Sequence, residues 1–513
     1  MGYLMGIDVS TTGAKALLCD ESGRVLAAAT NEYPSSNPRP LWSEQHPEDW
    51  WQATCRSVRD VVARAGVRGE EVSGIGLSGQ MHGLVMLDGR GEVIRPAILW
   101  NDQRTAAECR EITDKVGRER LLELVCNPAL TGFTAPKLLW VRTHEPADYD
   151  RCRKVLLPKD YVRFRLSGTF ATEVSDASGT LLLDVRNRRW SEEMLATLGI
   201  DRALLPDCYE SPAVSASVSE SAGRALGIPA GVPIVGGAGD QAAGAVGNGI
   251  VRTGVLSATI GTSGVVFAFS DQVATDRRGR LHTFCHAVPD KWHMMGVVLS
   301  AGGSLQWFRS ALGEPERSRA AQRGANAYDL LCERAAQAPP GCEGLIFLPY
   351  LTGERTPHAN PNARGAFVGL TPRHGRPEIV RSVLEGAAYA MKDSLEIMRQ
   401  LGVEAEEIRL SGGGARSPLW RQIQADVYGR PVCTINADEG PAYGAALLAG
   451  VGAGTWSTVE EACTQAISVV ERHEPQEAAM RAYRAFYPLF RNLYRSLESD
   501  FDAITDAVER LQP

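Results

Sequence analysis

The sequence predicts an α/β protein of two related halves, each built on a mixed sheet, with a ligand cleft between them. Three observations carry that expectation. β-Type runs and helical periodicities alternate along 513 residues, a chain too long for one core and with enough apolar content (44%) to fill several. Gly6-Ile-Asp-Val-Ser-Thr-Thr-Gly13, near the start, has a counterpart in Ser257-Ala-Thr-Ile-Gly-Thr-Ser-Gly264. Between them lies VPIVGGAGDQAAGAVGNG, Val232–Gly249, which passes from a strand pattern through glycines to one acid, Asp240, and on into an Ala/Gly-rich helix. The glycines let the backbone bend sharply and let another molecule approach, so Asp240 is presented on a strand-end turn where the halves join.

The elements follow in order. Tyr3–Asp8, Ala14–Asp20 and Val25–Thr30 read as an antiparallel meander around Ser10-Thr-Thr-Gly13 and Glu21-Ser-Gly23. A helix starts at Pro47, with Glu48 and Asp49 in its first turn and Trp51, Cys55, Val58 and Val62 at helical spacing. Gly74–Leu77 returns as a strand ending in Ser78-Gly-Gln-Met-His-Gly83. Three strands, a helix and another strand is the order of a ribonuclease-H-like unit, and such sheets bind ligands at strand C-terminal ends. Arg104–Asp207 reads as helical and irregular, and a boundary is expected near 249–255. The expected domains are therefore 1–250 and 251–490, both ribonuclease-H-like, with 491–513 as a helix end and tail. Glu378–Leu401 is the clearest helix of the second half, with small residues in its seam. A last helix over Glu477–Ser499 carries Tyr483, Phe486, Phe490, Leu493 and Leu497 on one face and is expected to kink at Pro488.

Composition narrows the partners. A net charge of −7 with no long run of either sign argues against nucleic acid or an anionic membrane, and points to a small solute. The start, MGYLMGIDVS, has no basic segment followed by an apolar one, and no 18-residue apolar run occurs, so a cytosolic protein is expected. Eleven cysteines, an odd number without a C-x-x-C pair, predict reduced core thiols and neither disulfides nor zinc.

Gly237-Ala-Gly-Asp-Gln-Ala242 formally fits a dinucleotide fingerprint, but the acid required about 20 residues on is missing, because Leu256–Phe269 contains none. A Walker A loop is absent. Two Gly/Thr/Ser hairpins remain, Ser10, Thr11, Thr12 with Gly13 and Gly261, Thr262, Ser263 with Gly264, whose backbone N–H groups and hydroxyls can ring phosphoryl oxygens without a lysine. Asp8, beside the first loop, could hold a hydrated Mg²⁺. Leu410-Ser-Gly-Gly-Gly-Ala-Arg-Ser417 would suit a flat base lying against bare backbone. His282 and His286 share one face of a strand-like run without a carboxylate and read as structural, whereas His82 sits in a strand-end loop between Met81 and Gly83.

With these motifs the chain resembles the FGGY carbohydrate kinases of the actin/Hsp70/sugar-kinase superfamily, over nearly its whole length. Gly6–Gly13 is similar to the family's first phosphate motif, Ile260–Gly264 to the second and Leu410–Ala415 to the adenosine motif. Gly132-Phe-Thr-Ala-Pro-Lys137 with Trp140 resembles one signature, and Gly365–Leu370 followed by Glu378–Glu385 the other. The resemblance implies a sugar-binding first domain, a nucleotide-binding second domain, ATP and Mg²⁺ as cofactors, and Asp240 as acceptor of the sugar proton. Asp8 would organise the metal. The loop Gln80–Gly83 is similar to that of family members acting on D-xylulose, which implies this ketose as substrate, held by Met81, His82 and Gln241, with Trp100, Asn101 and Asp102 nearby. Gln241 departs from the Asn of many relatives. Gly302 and Gly303 would join the two hairpins around phosphate, and Gly413, Gly414, Ala415 and Ser417 would border the adenosine. Open alternatives are a sibling kinase for ribulose, gluconate or another polyol, and an ATPase of the actin/Hsp70 type without a sugar; self-association as a homodimer is also left open.

Overall fold

A computed structural model describes residues 2–437 and 439–511, so the last two residues of the expected tail lie outside the described residues. The first half contains β1 (Tyr3–Val9), β2 (Gly13–Asp20), β3 (Val25–Glu32), α1 (Pro47–Ala65), β4 (Val72–Gly79), α2 (Thr134–His144), α3 (Pro158–Ser167), β5 (Val214–Ser217), β6 (Pro233–Val235), β7 (Ala238–Gly239) and α4 (Asp240–Gly247). The second contains β8 (Val255–Ile260), β9 (Gly264–Ser270), β10 (His282–Cys285), β11 (Trp292–Val298), α5 (Gly302–Ala311), α6 (Arg376–Gln400), β12 (Glu407–Ser411), α7 (Pro418–Tyr428), β13 (Val432–Ile435), α8 (Pro441–Gly452), β14 (Val469–His473) and α9 (Glu477–Leu511).

The doubled motif is a doubled topology. In the first sheet the order is β5-β6-β4-β1-β2-β3, with β7 also pairing β4; in the second it is β10-β11-β9-β8-β12-β13-β14. The central strands correspond: β1 and β8 each pair antiparallel with the next strand and parallel with a later one, β4 or β12. The two phosphate-type loops are the β1–β2 and β8–β9 hairpins, at equivalent corners of the two sheets.

Helix α1 covers β2 and β3 on one face of the first sheet, burying Trp50, Val58 and Val61. The opposite face is covered from the other half of the chain. Helix α8 lies across β1 and β4 and against α4. This approach is possible because glycines face it: a Cβ on Gly6 would fall 1.8 Å from the Ala442 carbonyl oxygen, one on Gly76 1.9 Å from that of Ala445, and one on Gly444 1.8 Å from that of Ala243. Around the seam a core common to both halves forms from Leu4, Ala242, Val246, Phe267, Leu447 and Trp456.

The last helix differs from expectation. It runs on to Leu511, past the expected end at Ser499, and passes through Pro488, which is exposed and so leaves its missing N–H on the solvent side. Its inner face is Tyr483, Tyr487, Phe490, Tyr494 and Phe501, while Phe486, Leu493 and Leu497 are only partly buried. Phenol groups set that rotation, since Tyr483 donates to Glu385 and Tyr487 to Asp393. Bonds from Asn362 to Asp502 and from Arg364 to Thr505 hold the extension. The cysteines are unpaired thiols, all buried except the partly buried Cys208. Among the described residues no helix is long and apolar enough to cross a membrane.

The seam between α4 and α8 gives a direct test. Gly444→Ala puts a methyl into backbone that cannot yield as a side chain can, which outweighs the helix propensity gained, and overpacking of this kind costs about 1–3 kcal/mol. Chemical denaturation of the variant should show that loss; unchanged stability would mean the helices can separate freely.

Candidate active site

Asp240 opens α4, and the residues before it set its place. Gly237 has φ +67°, and a Cβ there would lie 2.0 Å from the Leu77 carbonyl oxygen. A Cβ on Gly239 would lie 2.9 Å from Met81 Cγ, so the turn and the Gln80–Gly83 loop close on each other. The first turn of a helix favours an anion. Burial nonetheless pushes the Asp240 carboxyl up to about 7, the charge of Asp8 adds to the rise, and bonds with Gln241 restrain it.

Asp8, near the end of β1, lies in register with Lys15 of β2 and Ser78 of β4. It is 7% exposed, and its Oδ1 is buried without a hydrogen-bond partner among the described residues. Burial raises its carboxyl to about 6, against the Ser78 hydroxyl and the Lys15 charge. A buried carboxylate oxygen lacking a donor, with a second acid close enough to feel its charge, fits a hard hydrated cation. Among the described residues no cluster of three or more His, Cys, Asp or Glu side chains could hold a metal, so such an ion would keep water or phosphate as most of its ligands. Lys15 itself pairs with the Glu439 carboxylate and reaches the Glu439 carbonyl oxygen at 3.3 Å.

One cavity runs from Asp240 and Gln241 past Met81 and Trp100 to His82 and His282. His82 has φ +70°, a conformation that costs a non-glycine residue about 1 kcal/mol or more. Its carbonyl oxygen accepts from Thr134 Oγ1 at 3.0 Å and Lys137 Nζ at 2.8 Å, and its Nδ1 lies 2.7 Å from the Gly179 carbonyl oxygen. A carbonyl only accepts, so Nδ1 carries the proton; burial lowers the ring to about 3 and keeps it neutral, leaving Nε2 an acceptor. His282 repeats the device. Its Nδ1 lies 3.0 Å from Asn127 Oδ1, the Asn127 amide nitrogen being spent on the Val125 and Thr283 carbonyls, and burial lowers this ring also to about 3.

Of the expected trio only Trp100 lines the cavity. Asn101 is exposed beyond the wall. Asp102 is fully buried, accepting from the Ser43 N–H at 2.7 Å and from the backbone and guanidinium of Arg104. Arg104 lies over the Trp42 ring, 3.5 Å from its centroid, and Asp102 is its counter-charge, so this acid is structural. Thr11 is also engaged. Its hydroxyl accepts from Trp100 Nε1 at 3.0 Å and donates to Gln80 Oε1 at 3.4 Å, and its carbonyl accepts from Gln45 Nε2 at 2.7 Å. The first hairpin is thus tied to the sugar-side wall, with Ser10 bonded across its own turn to Gly13 and Thr12 exposed at the tip.

A second cleft, about 300 Å³, lies among Gly261, Thr262, Tyr328, Gly413, Gly414 and Ser417, large enough for part of a small-molecule ligand. Gly302 borders it, but the N–H groups of Gly302 and Gly303 donate to the Gly261 and Thr262 carbonyls, both at 2.9 Å. Their expected role at phosphate therefore gives way to another: a Cβ on Gly302 would sit 2.2 Å from the Gly261 carbonyl oxygen, so these glycines let α5 abut and brace the second hairpin. Ser417 caps α7 through Trp420 N, and the Ala415 carbonyl accepts from Arg421. Ser263 reaches the sugar-sized cavity. Asp240 and Gln241 line a further cavity that passes between the halves to Gly412 and Gly440. Lys15 and Arg355, the latter on the sugar-sized cavity, were missed in the sequence, and His282, read there as structural, also lines that cavity. Hairpin register around Ser10–Gly13 could have paired Lys15 with Asp8; nothing in the spacing of the other two signals their position.

A carboxylate shared by a polar, sugar-sized cavity and a passage towards a Gly-lined cleft is the layout of a kinase for small hydroxylated acceptors. The chain belongs to the FGGY family of carbohydrate kinases, whose N-terminal domain matches residues 3–247 and whose C-terminal domain matches residues 256–453. It is a carbohydrate kinase, which sets aside the sugar-independent ATPase alternative. The chain is 42% identical to the xylulose kinase of Escherichia coli (strain K12), over 96% of this chain and 99% of that protein. It is 30% identical to the gluconokinase of Bacillus subtilis (strain 168), over 98% of each. The crystal structure of a xyloylose kinase from Brucella ovis superimposes with TM-score 0.88 at 36% identity, covering 97% of this chain and 99% of that one.

The raised carboxyl of Asp240 has a cost that can be read from stability. Below the unfolded value near 3.8 both states are protonated; between there and about 7 only the unfolded state ionises, so the penalty grows with pH and is complete above 7. Asp240→Asn should therefore stabilise the protein by about 1–3 kcal/mol at pH 8 and hardly at all at pH 4. Denaturant melts at the two pH values check this, and an equal effect at both would place the Asp240 carboxyl in the ordinary range.

Proposed function

We propose that the protein transfers the γ-phosphoryl group of ATP to O5 of D-xylulose, forming D-xylulose 5-phosphate and ADP, with Asp240 as general base. The observation that carries this reading is the position of Asp240 on both the cavity with Met81, His82 and His282 and the passage between the halves. The names of the Escherichia coli and Brucella ovis relatives, a xylulose kinase and a xyloylose kinase, support the ketose.

The neutral imidazoles of His82 and His282 would accept protons of ketose hydroxyls through Nε2, with Gln241 beside the acceptor carbon and Trp100 along the wall. Asp240 would take the O5 proton as the bond to phosphorus forms. Phosphoryl transfer asks a protein mainly to position reactants and to offset charge. The hairpins Ser10–Gly13 and Gly261–Gly264 would cradle the phosphates, Lys15 would lend them its charge, and Gly413 and Gly414 would border the adenine. Asp8 would hold Mg²⁺, which when bound offsets the charge of the phosphates. ATP as donor and eleven unpaired thiols suit a cytosolic enzyme.

A coupled ADP-release assay over D-xylulose, D-ribulose, gluconate and glycerol tests the substrate. D-Xylulose should give the highest kcat/KM, and tenfold better use of another acceptor would move the enzyme to a sibling activity. Asp240→Asn should lower kcat by about 10²–10⁴, the usual worth of a general base, and a variant keeping most of its activity would remove Asp240 from that role. Because the base must be ionised, wild-type kcat/KM should fall as pH drops through about 7 and more steeply near 6, where Asp8 protonates. A profile flat from pH 8 to 5.5 would contradict both assignments.

A further inference from the structure

Arg355 stands in the sugar-sized cavity without a partner. Its guanidinium makes no hydrogen bond or ion pair with the described residues, although its backbone is firmly placed: its N–H donates to Glu354 Oε1 at 2.7 Å, and Thr356 bonds to Val297 of the cavity wall through the Thr356 N–H at 3.0 Å and the Thr356 hydroxyl at 3.1 Å. The neighbouring acid does not serve as counter-ion. Glu354 spends Oε1 on the Leu299 and Arg355 N–H groups, and burial pushes its carboxyl up to about 8, so it is mostly protonated near neutrality.

Among the described residues Asp240 and Arg355 are the only formal charges on the wall, since the two histidines are neutral and the rest is apolar, amide, indole or hydroxyl. Arg355 acts from the side of the imidazoles, both of which feel its charge. A neutral ketose leaves such a guanidinium with donors to spare, whereas a carboxylate matches its fork with two parallel hydrogen bonds. An acceptor hydroxyl at Asp240 and an anion at Arg355 describe a hydroxy acid.

We propose that this cavity also takes five-carbon aldonates, whose carboxylate replaces the hydroxyketone end of the ketose and pairs with Arg355, so that a sugar acid competes with the sugar. This rests on the reading of the cavity as the ketose site. D-Xylonate is the probe, because it keeps the C3 and C4 configuration and the C5 hydroxyl of D-xylulose.

Calorimetric titration of the full-length protein without nucleotide should show D-xylonate binding and displacement by D-xylulose. A charge-assisted bidentate contact is worth about 10- to 100-fold in affinity, so Arg355→Gln should weaken D-xylonate by that much and D-xylulose by at least tenfold less. In the wild type, D-xylonate binding should weaken with added salt while that of uncharged xylitol should not, which tests the contact even if the variant fails to fold. Absence of D-xylonate binding, failure of D-xylulose to displace it, an equal loss of both ligands in Arg355→Gln, or salt-insensitive binding would each overturn the proposal. Failure of the ketose reading is seen separately, as a wild-type enzyme with no turnover of D-xylulose in the ADP-release assay.

Discussion

Backbone-to-backbone contact between α4 and α8 is the constraint on which the rest of the molecule depends. These helices come from different halves of the chain and meet where Gly444 faces Ala243 and Gly247 faces Gly440, while Gly6 and Gly76 let α8 lie flat on the first sheet. Such contacts tolerate no added methyl, so the seam has one register. Asp240 begins α4 and Asp8 nearly ends the strand on which α8 lies. The same glycines that join the halves therefore hold the two carboxylates at a set separation, close enough that the charge of one raises the other.

Proximity of two acids in a dry corner works against folding and for chemistry. Each raised carboxyl is a penalty that the free protein carries at neutral pH, and the orphaned Oδ1 of Asp8 is part of it. Strain of this kind persists only where the surroundings over-determine it. Here they do: Gly237 fixes the turn before Asp240, the β1–β2 and β1–β4 registers fix Asp8, and three hydrogen bonds fix His82 in its left-handed conformation. A carboxyl near 7 is also poised to take up a proton at neutral pH, so what costs stability supplies basicity.

The sequence was legible where structure follows from local pattern. The hairpins, the strand order and the position of Asp240 could be read because β-type runs, turn residues and helical spacing are short-range signals, and the two related motifs announced the doubled topology. Side-chain commitments were not legible. Asp102, two residues on from the cavity-lining Trp100, turns inward to Arg104, and Gly302 and Gly303 spend their N–H groups on the hairpin they were expected to assist. His282 and Arg355 reach the cavity from the second half, more than 40 residues beyond Asp240 in sequence, and only the packing of one half on the other brings them there. The extension of α9 escaped for a similar reason: beyond Ser499 its one buried apolar side chain is Phe501, and the bonds that hold it come from Asn362 and Arg364, far off in sequence.

The two phosphate-type hairpins have equivalent places in the topology but different attachments, and the difference divides their work. The first is bonded to the acceptor side: Trp100 and Gln80 meet at the Thr11 hydroxyl, and Gln45 joins Gln80 to the Thr11 carbonyl. A ligand pressing on Trp100 therefore bears directly on that loop. The second is bonded on the side of the Gly-lined cleft, where the Gly261 and Thr262 carbonyls accept from the first turn of α5 and Gly412 crosses within reach of Ile260. The division is not complete, because Ser263 of the second hairpin also lines the sugar-sized cavity, so that cavity is walled by both halves. The glycine seam fixes how those two walls meet, and with them the place of Asp240 on both the cavity and the passage between the halves.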